Sequence, residues 1–211
     1  MKKNISLLLA FILIISCSTS KDRFLNRKYH KVTTKFNVLF NGKEAFKIGK
    51  KILEDFYEDN FFELLSVEPI LLRGENIDNS TIIPGFQRAE EKAVKAIQKH
   101  SMNIKNFQKN PLIDDSYILL GKARYFDRRF FPSLEAFNYI MENYSKPRTY
   151  LEARIWREKT NIRLNNNELA INNLRGISKR LINNSDFSGT LNASLAQAFL
   201  NNNRLDSAKY F

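Results

Sequence analysis

The sequence predicts an all-α chain in which antiparallel helical hairpins stack into an α-solenoid, with an irregular connector among them. Three observations carry that expectation. Glycine (7) and proline (5) are scarce in 211 residues, which favours helix over a turn-rich β-fold. Polar breaks recur about every 18 residues after Pro111. Small residues return at matching places two breaks apart, as stacked supersecondary units require.

The breaks fall at Asp127-Arg128-Arg129, Ser145-Lys146-Pro147, Asn165-Asn166-Asn167, Asn183-Asn184 and Asn201-Asn202-Asn203. Asn tolerates the left-handed conformation that closes helices and competes poorly inside them. The segments between breaks run about 12–15 residues with apolar positions near helical spacing. Ser133, Ala170 and Ala208 sit early in each second helix, at intervals of 37 and 38 residues, and Phe137 and Leu174 follow four residues later. In the first helices Leu120-Gly121-Lys122-Ala123 corresponds to Leu195-Ala196-Gln197-Ala198. Small residues at such points let helix backbones approach, and large apolar ones fill the groove beside them.

This pattern resembles the tetratricopeptide repeat, which has an aromatic-x2-Leu-Gly run in its first helix and Ala-x3-Phe in its second. Tyr117-x2-Leu120-Gly121 and Ser133-x3-Phe137 carry the likeness. The period exceeds the usual 34 residues. The middle repeat departs, with Arg157-Glu158 where Leu-Gly is expected, and Ala153 and Trp156 suggest a shifted packing face. Residues 111–211 are therefore expected to form tetratricopeptide-like repeats, the third incomplete at Ala208-Lys209-Tyr210-Phe211. The incomplete repeat suggests an N-terminal piece of a longer repeat protein.

The N-terminus reads as an address. Met1-Lys2-Lys3-Asn4 precedes an apolar run from Ile5 to Ile15, interrupted by Ser6. As a helix the run spans about 16 Å, half of a bilayer's ~30 Å core, so it fits a signal peptide (1–16) rather than a membrane span. Ile14-Ile15-Ser16-Cys17 resembles a bacterial lipobox, which implies cleavage between Ser16 and Cys17 and acylation of the Cys17 thiol. Cys17 is the single cysteine, so an internal disulfide is excluded. Two or three acyl chains anchor stably where one does so marginally. Ser18, rather than Asp, after the cysteine favours the outer membrane. Residues 17–23 form the lipidated tether.

The +12 formal charge would suit nucleic acid, but an envelope address argues against that partner. Arg23, Arg27, Lys28, Lys31 and Lys35 beside the anchor either contact anionic headgroups, at ~1 kcal/mol each, or form a solvated helix face.

Residues 24–57 read as a helical region broken at Asn41-Gly42, in the manner of a diverged hairpin. Residues 58–110 read as connector plus helix: an extended connector over 58–85 with room for a strand, then a helix from about Phe86 to His100 with Ala89, Ala93, Ala96 and Ile97 on one side. The run Lys28 to Gly42, carrying Tyr29, His30, Thr33, Thr34, Phe36, Asn37, Asn41 and Gly42, resembles the N-terminal signature of the SprE/PorW-type lipoproteins of the Bacteroidota type IX secretion and gliding-motility machinery. That resemblance implies an outer-membrane-anchored, periplasm-facing scaffold with envelope protein partners. The alternative is a surface-exposed lipoprotein that binds nutrients or glycans.

Nothing points to catalysis, a cofactor or a metal. His30 and His100 lie far apart in sequence and read as surface or helix-flank histidines. Glu90-Glu91 and Asp114-Asp115 read as surface charge or as an N-terminal helix preference rather than an acid–base site, since neighbours on a helix diverge by about 100°. Gly-x-Ser-x-Gly and Gly-rich phosphate loops are absent. Trp156 reads as core.

Overall fold

A computed structural model describes residues 18–62, 65–68, 70, 83–179 and 186–211. Ser16 and Cys17, and the break at Asn183-Asn184, lie outside the described residues. The fold is all-α, as expected. Helix α1 (Phe24–Thr33) passes through a π-helical turn (Thr34–Leu39) into α2 (Phe40–Phe56). After the connector come α3 (Pro84–His100), a two-stranded hairpin of β1 (Asn103–Ile104) and β2 (Phe107–Gln108), then α4 (Ile113–Phe126) and α5 (Phe130–Asn143). Helices α6 (Pro147–Arg163), α7 (Asn167–Ser178), α8 (Ser188–Asn201) and the short α9 (Leu205–Ala208) follow.

Consecutive helices pack on one another in a solenoid-like order. The first helices of successive pairs, α2, α4, α6 and α8, also touch directly and form one wall. Helix α2 therefore pairs with α3, and the connector is an insertion within the first hairpin.

Three hairpin turns repeat one geometry. Arg128, Asn165 and Asn203 adopt φ of 61°, 63° and 56°. One residue later, the N–H of Arg129, Asn166 and Arg204 donates to the carbonyl of Arg124, Asn161 and Phe199, each at 2.9 Å. A left-handed residue followed by this backward bond satisfies orphan carbonyls at a helix end. Proline opens α3 and α6, where a missing N–H costs nothing.

Gly121, Ser133 and Phe137 pack together within the α4–α5 hairpin. A Cβ on Gly121 would lie 2.5 Å from the Phe137 ring, so the glycine is the seat of that side chain. Ser133 is buried and its hydroxyl donates to the Gly121 carbonyl at 2.8 Å. Leu120, Ala123, Ala170, Leu174, Leu195, Ala198 and Ala208 are buried, whereas Tyr117 and Ala196 are half-buried. In the middle pair Glu158 stands one repeat after Gly121. It is fully buried, accepting from Arg157 Nε at 2.7 Å and Asn161 Nδ2 at 2.9 Å.

Several expectations are corrected. Asn41-Gly42 does not break the helix. Gly42 instead lets α2 approach its neighbours, since a Cβ there would meet Leu119 Cδ2 at 2.7 Å and Lys92 Cβ at 3.0 Å. The first helix is interrupted earlier, by the π-turn, where the Thr34 hydroxyl donates to the His30 carbonyl at 2.6 Å. Among the described residues the only strands are β1 and β2, which follow α3; much of the 58–85 stretch in which a strand was expected lies outside the described residues. Their two-residue turn, Lys105-Asn106, takes φ of 53° and 63°, a geometry that matches strand twist.

Candidate functional site

The first-helix wall holds a peptide, and the peptide is the chain's own. Residues 65–68 of the connector are irregular and lie against α4, α6 and α8. Backbone as well as side chain is gripped. The Val67 N–H donates to Gln197 Oε1 at 2.8 Å, and Arg163 Nη2 donates to the Glu68 carbonyl at 3.2 Å. The Glu68 carboxylate accepts from the Tyr125 hydroxyl at 3.1 Å and pairs with Lys159 Nζ. Arg163 Nε closes the ring by donating to the Tyr125 hydroxyl at 3.1 Å. The cleft is lined by these groups with Val67, Ile162 and Ser194.

Each contributor stands where its helix puts it. Tyr125 is in the last turn of α4, Lys159 and Arg163 are one turn apart on α6, and Ser194 and Gln197 are three apart on α8. Two aromatic rings frame the cation. Lys159 Nζ lies 3.8 Å from the Trp156 ring centroid and 5.9 Å from that of Tyr125. Burial lowers the Lys159 ammonium's pKa, and Glu68 opposes that drop. Burial pushes the Tyr125 phenol well above its ordinary range, and the Glu68 charge adds to the rise. A buried ammonium is costly without a counter-charge, so this cleft is built around a carboxylate.

The residues of the expected signature separate onto two faces. His30, Thr34 and Gly42 turn inward at helical spacing, while Tyr29, Phe36, Asn37 and Asn41 are exposed and Thr33 is half-buried. His30 and His100 are both buried and meet Nδ1 to Nδ1 at 3.0 Å, which overturns their reading as surface histidines. Asn110 fastens the cluster, donating to Thr34 Oγ1 and to the His100 carbonyl, both at 2.9 Å. Burial lowers the His100 pKa, with His30 and Lys95 adding to the effect. Among the described residues, no group of three or more His, Cys, Asp or Glu is placed to hold a metal ion.

Of the acidic pairs, Asp114-Asp115 stands in the first turn of α4, as a helix-start preference expects, while Glu90 departs from the surface-charge reading. Glu91 is exposed, but Glu90 accepts from Arg124 Nε at 2.8 Å and pairs with Arg129. Burial would raise the Glu90 pKa, yet the Arg129 and Arg124 bonds outweigh it and hold it low. Asp114 is buried, and Lys146 reaches Asp114 and Asp115 at 3.3 and 3.4 Å. Trp156 packs half-buried between two apolar clusters, as a core residue should, while also facing Lys159.

Sequence reading missed Glu68, Lys159, Arg163 and Gln197. The available signal was Arg157-Glu158-Lys159, a charged run inside an otherwise packed repeat helix. Compared with known proteins, the chain matches no family model and no curated protein.

Proposed function

We propose that this chain is a lipid-anchored scaffold of the bacterial envelope, whose first-helix wall takes an extended, carboxylate-bearing segment of protein. The observation that carries the reading is the grip on Val67 and Glu68: main chain and acid are both recognised, which is how a groove binds an extended peptide. The proposed role is binding rather than catalysis. Acylation at Cys17, and a tetratricopeptide-like subclass for the repeats, belong to the same reading and rest on the lipobox and on the Gly121–Phe137 seat. The likeness of Tyr29 to Gly42 to the SprE/PorW signature supports an outer-membrane location and a part in type IX secretion and gliding.

The test is a clean deletion of the gene, complemented with the parent chain or with Cys17→Ala. Loss of secreted cargo bearing the system's C-terminal sorting domain is expected, restored by the parent and not by Cys17→Ala. Normal secretion in the deletion strain refutes the assignment to that machine.

A further inference from the structure

Helix α1 and the start of α2 carry a solvent-exposed apolar stripe. Leu25, Tyr29, Val32, Phe36 and Phe40 follow one another at steps of three or four residues and are 40–58% exposed. The opposite stripe, including Asn26, His30, Thr34 and Val38, is buried. This part of the chain thus has two distinct faces, one spent on packing within the fold and one apolar and open. Exposed Lys28, Lys31 and Lys35 each precede a stripe residue by one position, about 100° round the helix. Lys28 Nζ lies 5.5 Å from the Phe24 ring centroid and Lys35 Nζ 4.9 Å from that of Phe36, so the ammonium groups edge the apolar surface.

We propose that this stripe lies on an anionic phospholipid surface, with the rings at the acyl boundary and the three lysines at the phosphates. An exposed aromatic-aliphatic face bordered by lysines is the composition of a helix that rests in a membrane interface. Position selects lipid over a free partner. Phe24 is seven residues after Cys17, a tether that reaches at most about 25 Å. The stripe is then held next to the bilayer by the anchor, at high effective concentration, and modest apolar area suffices. The inference rests on the acyl-anchor reading of Cys17.

The experiment uses the acylated protein reconstituted in vesicles of phosphatidylcholine, alone or with phosphatidylglycerol. An environment-sensitive fluorophore is placed at Phe36→Cys, and at exposed Asp206→Cys as a control. In phosphatidylglycerol vesicles the label at position 36 should be shielded from an aqueous quencher while that at position 206 stays accessible. Changing Lys28, Lys31 or Lys35 to Gln should shift the shielded-to-open ratio about fivefold per lysine toward open, from ~1 kcal/mol each. Equal quenching at positions 36 and 206 overturns the proposal. Shielding that ignores lipid charge but rises with protein density also overturns it, because the stripe then meets a second copy of the chain. The parent chain, with no added cysteine, reports on the anchor separately: a thioether at Cys17 takes no label. Labelling of the parent refutes the anchor; an unlabelled parent with an open position 36 refutes the membrane face alone.

Discussion

Gly121→Ala and Gly176→Ala are the same chemical change in two helices, and the structure gives them opposite signs. In a helix interior, alanine is favoured over glycine by about 0.8–1 kcal/mol. At Gly176 a new Cβ meets nothing within 4 Å, so most of that gain is kept. At Gly121 the Cβ would lie 2.5 Å from two carbons of the Phe137 ring. The ring has little room to retreat: Phe137 is fully buried, with Trp156 stacked beyond it at 6.3 Å. The backbone is held too, by the Ser133 hydroxyl on the Gly121 carbonyl. Overpacking of this kind costs about 1–3 kcal/mol, and the tight seat argues for the upper end, leaving a net loss of about 2 kcal/mol. For a chain of this size that lowers Tm by about 4–8 °C, whereas Gly176→Ala raises it by about 1–4 °C. Melting followed by far-ultraviolet circular dichroism reads both. A Phe137→Leu change should recover part of the Gly121→Ala loss in a double-mutant cycle, because it removes the ring atoms that clash. A Gly121→Ala protein as stable as the parent would falsify the seat.

Glu68→Gln leaves the Lys159 ammonium without its carboxylate. The expected loss is about 2–3 kcal/mol in urea unfolding, short of a fully buried pair because the Glu68 side chain is 21% exposed. Adding Lys159→Met should return most of it; no change in the single variant refutes the pairing. A synthetic peptide of residues 65–70 should bind the Glu68→Gln chain in calorimetry, and the same peptide carrying Glu68→Gln should not; equal binding of the two shows that the acid is not read. His100 titrates lower when folded than its ordinary 6.5, so below that pH the unfolded chain takes up the proton more readily. Stability should therefore fall as pH drops below about 6.5, and His100→Gln should flatten the decline; an identical slope in both proteins refutes this. Asn165→Val should cost about 1–2 kcal/mol and Asn165→Gly nothing, since φ is 63° there; equal melting temperatures refute the left-handed turn.

What the sequence revealed and what it hid have physical causes. The hairpin turns were legible because left-handed closure selects Asn, and two of three turns use it; Arg128 shows that the backbone geometry, not the residue, is the repeating unit. Gly121, Ser133 and Phe137 were legible because contacts within one hairpin recur at fixed spacing. Gly42 was misread because a glycine that breaks a helix and one that seats a neighbour look alike in sequence. Only the approach of Leu119 distinguishes them. The histidine pair was hidden because it joins residues 70 positions apart. Glu68 was hidden for the same reason: its partners lie 57, 91 and 95 residues away, outside any local period.

The connector's place explains why such distant contacts exist. It is inserted within the first hairpin, yet Val67 and Glu68 rest on α6 and α8, helices of the third and fourth pairs along the wall. Neighbouring helices pack 8–10 Å apart, so the wall from α2 to α8 is about 24–30 Å across. The chain from Tyr57 to Glu68 spans at most about 40 Å when extended, enough to cross it. Ile70 is buried with Leu53 of α2 and with Tyr125 and Phe126 of α4, so the same segment is also held at the near end. An ordinary solenoid couples only adjacent units. Here the connector adds a direct link between the first pair and the later ones, through the Glu68 carboxylate and through the main chain of Val67 and Glu68. An acidic segment that took the groove would have to displace Glu68 from Lys159, so on the proposed reading the chain's own connector competes with the ligand.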